Sequence, residues 1–184
     1  QGLGRVVSLS TGDFHTCALN RQGEVWCWGL AKSGQTGAAA DPNPCRIDNQ
    51  DYACNRRPQR VGTVPRAVDI ATGDSHSCAL TREGAVWCWG DNRYGQLGIG
   101  VMGTPIDGEP VEPTGTRTPQ WIATLPAAEA LSVGGFTSCA HVGESLWCWG
   151  LDDMQQISVQ QDRPQNNRCG EGAISTPRRL GNRD

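Results

Sequence analysis

The chain has 184 residues, of which 16 are Lys or Arg and 19 are Asp or Glu, and its formal net charge is −3. The cations are scattered along the chain, so we expect no nucleic-acid partner, and no apolar run reaches the roughly 18 residues of a membrane-spanning helix. Hydrophobic residues make up only 37% of the chain. This thin apolar supply predicts that the fold receives additional stabilisation.

The first pattern along the chain is a stretch with two cysteines and two tryptophans, HTCALNRQGEVWCWG, which starts at His15. It recurs as HSCALTREGAVWCWG from His76 and as TSCAHVGESLWCWG from Thr137. A recurrence at a fixed period is typical of repeat architectures. We therefore predict a single repeat domain over residues 1–184. Its units span 5–64, 65–125 and 126–184, with long insertions at 38–57, 99–117 and 159–176.

Each stretch predicts a β-hairpin whose two cysteines lie opposite each other. In the first two hairpins, a three-residue turn ends in Gly23 or Gly84, where the backbone has to be left-handed. The third hairpin is one residue shorter, and Gly143 leads a two-residue turn that restores the register. Opposed residues have Cα atoms about 4.5–5.5 Å apart, a distance that a disulfide can bridge. The predicted pairs are Cys17–Cys27, Cys78–Cys88 and Cys139–Cys148.

Two alternatives to disulfides remain for these cysteines. Structural zinc sites group their Cys or His ligands closely, whereas each pair here lies alone on its hairpin. Reduced cysteines packed in the core are the second alternative. A disulfide that closes so short a loop contributes about 2 kcal/mol in the chain-entropy picture, and it persists in oxidising compartments. We therefore expect an extracellular or cell-surface protein, with the periplasm as a further option.

The remaining cysteines lie outside the hairpins. Cys45 and Cys54 both fall in the first insertion, and we expect them to pair and to pin that loop. Cys169 then has no partner, which in a secreted chain predicts an intermolecular disulfide or a free thiol. A bond from Cys45 or Cys54 to another cysteine stays open, because connectivity cannot be read from sequence.

Each unit consists of a first strand, the hairpin, and a strand led by proline in the stretches PQRV, PQWI and PRRL. There is no helical period, so we predict four short strands per unit. The stretch TGDSHSCALTREGAVWCWGDNRYGQLG at 72–98 resembles the regulator of chromosome condensation repeat family, in a secreted, disulfide-stapled form of bacterial type. The resemblance covers all three units, although SGQTG and MQQIS depart from its last element. It implies an all-β fold of three β-propeller blades, each of four antiparallel strands.

Propellers typically need about four to eight blades to close, so three blades are too few to close alone. We expect the open sheet edges to be completed by another copy, head to tail, in a ring, an extracellular filament or an open helical array. The alternative is that the chain is a fragment of a longer propeller, or a monomeric binding module that contacts a protein through its insertions. Secreted bacterial relatives of this fold include protein inhibitors of β-lactamase, which favours the second alternative.

No pattern in the sequence predicts a catalytic residue, a metal site or a cofactor. His15 and His76 are equivalent, but no recurring order of Ser, His and Asp accompanies them, so we interpret them as packing residues. The repeated Trp-Cys-Trp runs are interpreted as core. Trp121 stands where the first unit has Arg60, and we predict that it is exposed and contacts a partner. The function predicted is therefore a non-enzymatic secreted interaction or structural protein that self-associates, or that binds another protein through its insertions.

Overall fold

The computed structural model describes residues 2–102, 115–157 and 172–180. These residues form fourteen β-strands and no helix. The strands are β1 (Val6–Thr11), β2 (His15–Asn20), β3 (Val25–Leu30), β4 (Cys45–Ile47), β5 (Gln50–Tyr52), β6 (Cys54–Arg60), β7 (Ala67–Thr72), β8 (His76–Thr81), β9 (Val86–Gly90), β10 (Thr116–Trp121), β11 (Ala130–Gly134), β12 (Thr137–Val142), β13 (Ser145–Leu151) and β14 (Ala173–Arg179).

The strands form three four-stranded antiparallel sheets and one two-stranded sheet. Sheet 1 has the order β1-β2-β3-β6, sheet 2 the order β7-β8-β9-β10, and sheet 3 the order β11-β12-β13-β14. The strands β4 and β5 pair with each other in the connection between β3 and β6. The predicted all-β class with four antiparallel strands per sheet is confirmed. Among the described residues there is no helix that could span a membrane.

The hairpins have the registers that the sequence predicted. Cys17 pairs with Cys27, Cys78 with Cys88 and Cys139 with Cys148. Gly23 and Gly84 have φ of 77° and 81°, and Gly143, the first residue of the shorter turn, has φ of 57°. The change of turn type therefore compensates for the missing residue in the third hairpin.

The outer strand of each sheet differs from the prediction, because its proline lies inside the strand rather than at its start. β6 begins at Cys54, four positions before Pro58, and β14 contains Pro177 in the same way. The register of β6 on β3 shifts between the pairs Cys27–Gln59 and Gly29–Asn55, which leaves extra residues on the outer strand. Proline cannot donate a ladder hydrogen bond, so an irregularity on an edge strand accommodates it.

Neighbouring sheets pack face to face in a repeated manner. Successive residues of a strand point to opposite sides. Each hairpin therefore has a cysteine face, which carries the disulfide, and a tryptophan face, which carries the Trp-Cys-Trp tryptophans. The cysteine face of one sheet packs on the tryptophan face of the next. The first core contains Cys17, Leu19, Val25, Cys27, Ile70, Ala79 and Trp89, and the second contains Cys78, Leu80, Val86, Cys88, Ala140 and Trp149.

Candidate interaction surfaces

The four disulfides occupy two kinds of position. The three hairpin disulfides have Cα–Cα distances of 4.1 Å, as expected for opposed residues at a non-hydrogen-bonded site. They lie in the repeated cysteine faces. The fourth, Cys45–Cys54, has a Cα–Cα distance of 5.8 Å and closes the insertion that contains β4 and β5. Cys169 lies outside the described residues.

A hydrogen-bonded chain joins sheet 1 to sheet 2. Nε2 of His15 lies 2.8 Å from Oγ of Ser77. That hydroxyl donates to the backbone carbonyl of Gln35 over 3.0 Å, and Nε1 of Trp89 donates to the same carbonyl over 3.0 Å. Because the serine hydroxyl has a single proton, which it gives to the carbonyl, Nε2 of His15 is the donor to the serine oxygen. The two sheets are therefore locked by neutral donors and acceptors.

The same arrangement joins sheet 2 to sheet 3. Nε2 of His76 lies 2.8 Å from Oγ of Ser138, which donates to the carbonyl of Gln96 over 3.1 Å. Nε1 of Trp149 donates to that carbonyl over 2.9 Å. The two glutamines lie in equivalent Gly-Gln-x-Gly stretches, at 34–37 and 95–98. The recurrence of Gln and of the distant Ser at the same period was the signal in the sequence that such a contact exists.

The two histidines are held in the neutral form. Burial lowers the pKa of His15 to about 4. Burial, together with repulsion from His15, lowers the pKa of His76 to about 3. Nδ1 of each ring has no hydrogen-bond partner, so protonation would place an unpaired charged N–H in the core. These histidines are structural, and they hold neighbouring sheets together.

The insertion between β3 and β6 forms a small stapled hairpin, which we call the finger and define as Cys45–Tyr52. Its two-residue turn is Asp48-Asn49, with φ of 50° and 63°, the combination that type I′ hairpins require. Ile47 at its tip is 54% exposed. The disulfide to Cys54 ties the finger to the start of β6.

Polar contacts fix the base of the finger. The amide N–H of Asp41 donates to the side chain of Asn55 over 3.1 Å. The amide N–H of Arg56 donates to the Asp41 carboxylate over 2.8 Å. The guanidinium of Arg56 donates to the carbonyl of Asn43 over 3.1 Å. These bonds and the disulfide give the finger a defined position on sheet 1, at the end opposite the β2–β3 turn.

On two sheet faces no other sheet packs among the described residues: the tryptophan face of sheet 1 and the cysteine face of sheet 3. Leu9 on the first face is 63% exposed, whereas its counterpart in sheet 2, Ile70, is 4% exposed. On the second face, His141 replaces the leucines at 19 and 80 and pairs with Glu129 over 3.4 Å. The open face of sheet 1 is therefore apolar, and that of sheet 3 is more polar than its counterparts.

The sequence also predicted partner contacts at Trp121 and in the three insertions. Trp121, at the end of β10, is 54% exposed and pairs with Trp87 across the strands. The insertion 38–57 is described in full, whereas most of 99–117 and of 159–176 lies outside the described residues. No cluster of three or more His, Cys, Asp or Glu side chains that could hold a metal occurs in the described part of the chain.

Comparison with sequence families identifies the repeat. A profile of the regulator of chromosome condensation (RCC1) repeat matches residues 22–80 and 83–140, which is more than half of the chain. The chain belongs to the RCC1 repeat family. A second RCC1 repeat profile matches residues 6–35 and 67–96. Both profiles include the first two Trp-Cys-Trp stretches, and the second of these lies in the segment 72–98 from which the resemblance was inferred.

Individual relatives are similar over part of their length. The RCC1 domain-containing protein RUG3, mitochondrial, of Arabidopsis thaliana is 32% identical over 157 residues, which are 84% of this chain and 31% of RUG3. The ultraviolet-B receptor UVR8 of the same plant is 30% identical over 119 residues, 65% of this chain and 25% of UVR8. The probable E3 ubiquitin-protein ligase HERC4 of Mus musculus is 35% identical over 95 residues, 52% of this chain and 8% of HERC4. The chain thus spans less than a third of each.

Solved structures support the RCC1 fold. Yeast RCC1 (Prp20) in its complex with Kap60 superposes with a TM-score of 0.73 at 22% identity, over 97% of this chain and 37% of that one. Human WBSCR16 superposes with a TM-score of 0.69 at 23% identity, over 96% of this chain and 39% of WBSCR16. At these identities the similarity shows the fold alone, that of RCC1-type β-propeller blades.

Proposed function

We propose that the chain is a non-enzymatic protein-interaction module that binds another protein through the finger, in an extracellular or cell-surface environment. The finger carries this proposal. An isolated two-stranded hairpin is only marginally stable in water, yet this one is held by its own disulfide and by a type I′ turn, and its tip side chains are mostly exposed. A preorganised, exposed hairpin loses little conformational entropy on binding.

Similar proteins support an interaction role. Yeast RCC1 is described as bound to Kap60, and Prp20p is described by its binding properties to Gsp1p and histones. The E3 ligase HERC4 matches over only 8% of its own length, so the similarity to it carries no ligase activity to this chain. The four disulfides support an oxidising compartment, although relatives such as RUG3 are named as mitochondrial.

The finger is tested by replacing residues 46–51 with a Gly/Ser loop of the same length, which keeps both cysteines. Binding to protein partners in the extracellular fluid of the producing cells should be lost, while the molar mass measured by light scattering and the thermal melting stay those of the wild type. Met154→Ala, at a surface position that is 80% exposed, serves as the matched control. Retention of the same partners by the loop variant would contradict the proposal.

Self-association is the second candidate, and the exposed face of sheet 1 favours it. In the two sheet junctions within the chain, the tryptophans equivalent to Trp28 and the isoleucine equivalent to Leu9 in sheet 2 lie in the core, and Leu131, its equivalent in sheet 3, packs against the core. An exposed apolar patch of this kind is typical of an interaction site. A cysteine face from a second copy would cover it and continue the stack head to tail, as a ring or a filament.

Size-exclusion chromatography with light scattering, and negative-stain microscopy, test this second candidate. Head-to-tail assembly predicts rings or filaments for the wild type that disappear with Leu9→Arg, whereas the finger variant Ile47→Arg still assembles. A wild-type chain that stays monomeric at high concentration would rule it out and would leave the binding-module proposal intact.

A further inference from the structure

A groove lined by arginines crosses the junction of sheets 1 and 2, at the end that carries the β2–β3 and β8–β9 turns. Its main cavity has a volume of about 410 Å³ and is lined by Arg21, Arg66, Arg82 and Val68 among others. A second cavity of about 240 Å³ shares Arg66 with the first and continues to Arg60. The two cavities thus form an elongated groove rather than a single pit.

None of the residues that line the main cavity is acidic. Within the part of the chain that the structure describes, the side chains of Arg21, Arg66 and Arg82 make no hydrogen bond and no ion pair. Glu24 lines the second cavity, where it pairs with Arg60 over 3.0 Å and also interacts electrostatically with Arg66. Three guanidinium groups around one cavity create a local positive potential, which favours an anionic ligand.

Comparison with the next junction shows that packing does not require this charge. The amide of Ala67 donates to the carbonyl of Gly23, and the amide of Ala128 donates to that of Gly84, each over 2.9 Å. The residues that precede these two alanines therefore occupy equivalent positions, with arginine at position 66 and alanine at position 127. The residue after each alanine is valine at position 68 but glutamate at position 129. The same backbone arrangement forms at the second junction without a cation at the position of Arg66, although Arg82 stands there at the position of Arg21.

We infer that this groove binds an acidic segment of a partner protein. Arginine presents donors in a planar fork that matches a carboxylate in two parallel hydrogen bonds, and the row of arginines spaces several such contacts along an extended peptide. Val68, which is exposed, adds an apolar contact between them. The chain as a whole is negatively charged, so a bound acidic peptide is recognised by the groove and not by the overall field. The finger lies at the opposite end of sheet 1, so the groove is a separate surface.

Fluorescence anisotropy with a labelled oligoglutamate peptide tests the groove on the full chain. Arg66→Ala should weaken binding about tenfold, the size of one charge-assisted contact, and Arg66→Lys should weaken it less. Arg57→Ala, an exposed arginine on β6 outside the groove, should leave the affinity unchanged. The double variant Ala127→Arg with Glu129→Val should add a second binding site at the junction of sheets 2 and 3.

Three results would overturn the inference. These are an absence of peptide binding, an equal loss of affinity in Arg66→Ala and Arg57→Ala, or no additional site in the double variant. A fourth concerns the type of ligand: if inorganic sulfate displaces the peptide more strongly than chloride at equal ionic strength, the groove is a site for free oxyanions. The finger variant keeps all the arginines of the groove, so it should still bind the oligoglutamate peptide. The proposals for the finger and for the groove can therefore fail separately.

Discussion

At the residue scale, two buried histidines couple stability to pH. In the unfolded chain both titrate near their ordinary pKa of 6.5, whereas in the fold their pKa values are lowered to about 4 and about 3. Below pH 6.5 the unfolded chain therefore binds more protons than the folded one. The stability that the neutral rings provide is complete above pH 6.5 and is lost as the pH falls from 6.5 towards 4 and then 3.

The variant His76→Gln tests this coupling. Glutamine can donate to Ser138 but does not titrate, so the free energy of unfolding should fall less steeply with pH between 6.5 and 4 than in the wild type. Denaturant unfolding at a series of pH values measures the slope. Thr137→Gln, at the equivalent position of the third unit, removes no titratable group and should keep the wild-type slope, and identical slopes for both variants would contradict the assignment.

The backbone conformation of Gln155 leads to a prediction about stability. Its φ is 60°, whereas the equivalent positions in the first two units are glycines, Gly34 and Gly95, with φ of 82° and 76°. A non-glycine residue in this region is strained, so Gln155→Gly should raise the free energy of unfolding by about 0.5–1 kcal/mol.

The neighbouring glutamine is the matched control for Gln155→Gly. The side chain of Gln156 accepts from the amide of Met154 over 3.0 Å and donates to the carbonyl of Leu151 over 2.8 Å. Gln156→Gly should therefore lower stability, by about 1 kcal/mol for the lost hydrogen bonds. Thermal melting of both variants measures the difference, and a destabilised Gln155→Gly would show that the strain argument is wrong.

At the element scale, the disulfides divide into those that support the core and one that supports the finger. Cys78 and Cys88 are fully buried between sheets 2 and 3. Cys45 and Cys54 close the finger, which forms a two-stranded sheet of its own. Removing either disulfide frees a loop of similar length, with sequence separations of 10 and 9, so the difference in effect comes from position.

The double variants Cys78→Ala/Cys88→Ala and Cys45→Ala/Cys54→Ala form the comparison. The first should lower the free energy of unfolding by about 3 kcal/mol, from the lost cross-link and the cavity in the core. The second should change global unfolding less and should accelerate amide hydrogen exchange in β4 and β5. Equal losses of global stability in the two variants would contradict this division of roles.

At the scale of the whole molecule, the two open faces are not equivalent. A Cβ atom at Gly34 would lie 2.8 Å from Cα of Arg117, and one at Gly95 would lie 2.6 Å from Cα of Ser175, each in the outer strand of the next sheet. Gln155 has such a Cβ at the cysteine-face end of sheet 3. A further sheet that packed there in the same way would have to shift to avoid it.

This asymmetry predicts how assembly responds to one substitution. If copies join head to tail, Gln155→Gly should move the association midpoint to lower protein concentration, because the next sheet can then approach as it does at the two junctions within the chain. Sedimentation at a series of concentrations measures the midpoint. An unchanged midpoint in a protein that does associate would show that copies meet through other surfaces.

The repeat, the all-β class, the hairpin registers and the opposed cysteines could all be predicted from the sequence. These properties are local: turn length and the position of glycine set the pairing of residues within about ten positions of each other. The prediction wrongly placed Pro58 and Pro177 at the start of the outer strands β6 and β14, because the pairing of these strands is not local. An outer strand pairs with a hairpin far along the chain, and an irregularity in that pairing has no local signal.

The contacts between sheets could not be predicted from the sequence. His15 and Ser77 lie 62 positions apart, and the arginines at 21, 66 and 82 come from three separate connections. Their proximity depends on the way one sheet packs on the next, and packing sums many weak contacts that no single stretch of sequence contains. The finger lies between these cases: its disulfide followed from the proximity of two cysteines, but its position beside sheet 1 depends on Asp41 and Arg56, which the fold brings together.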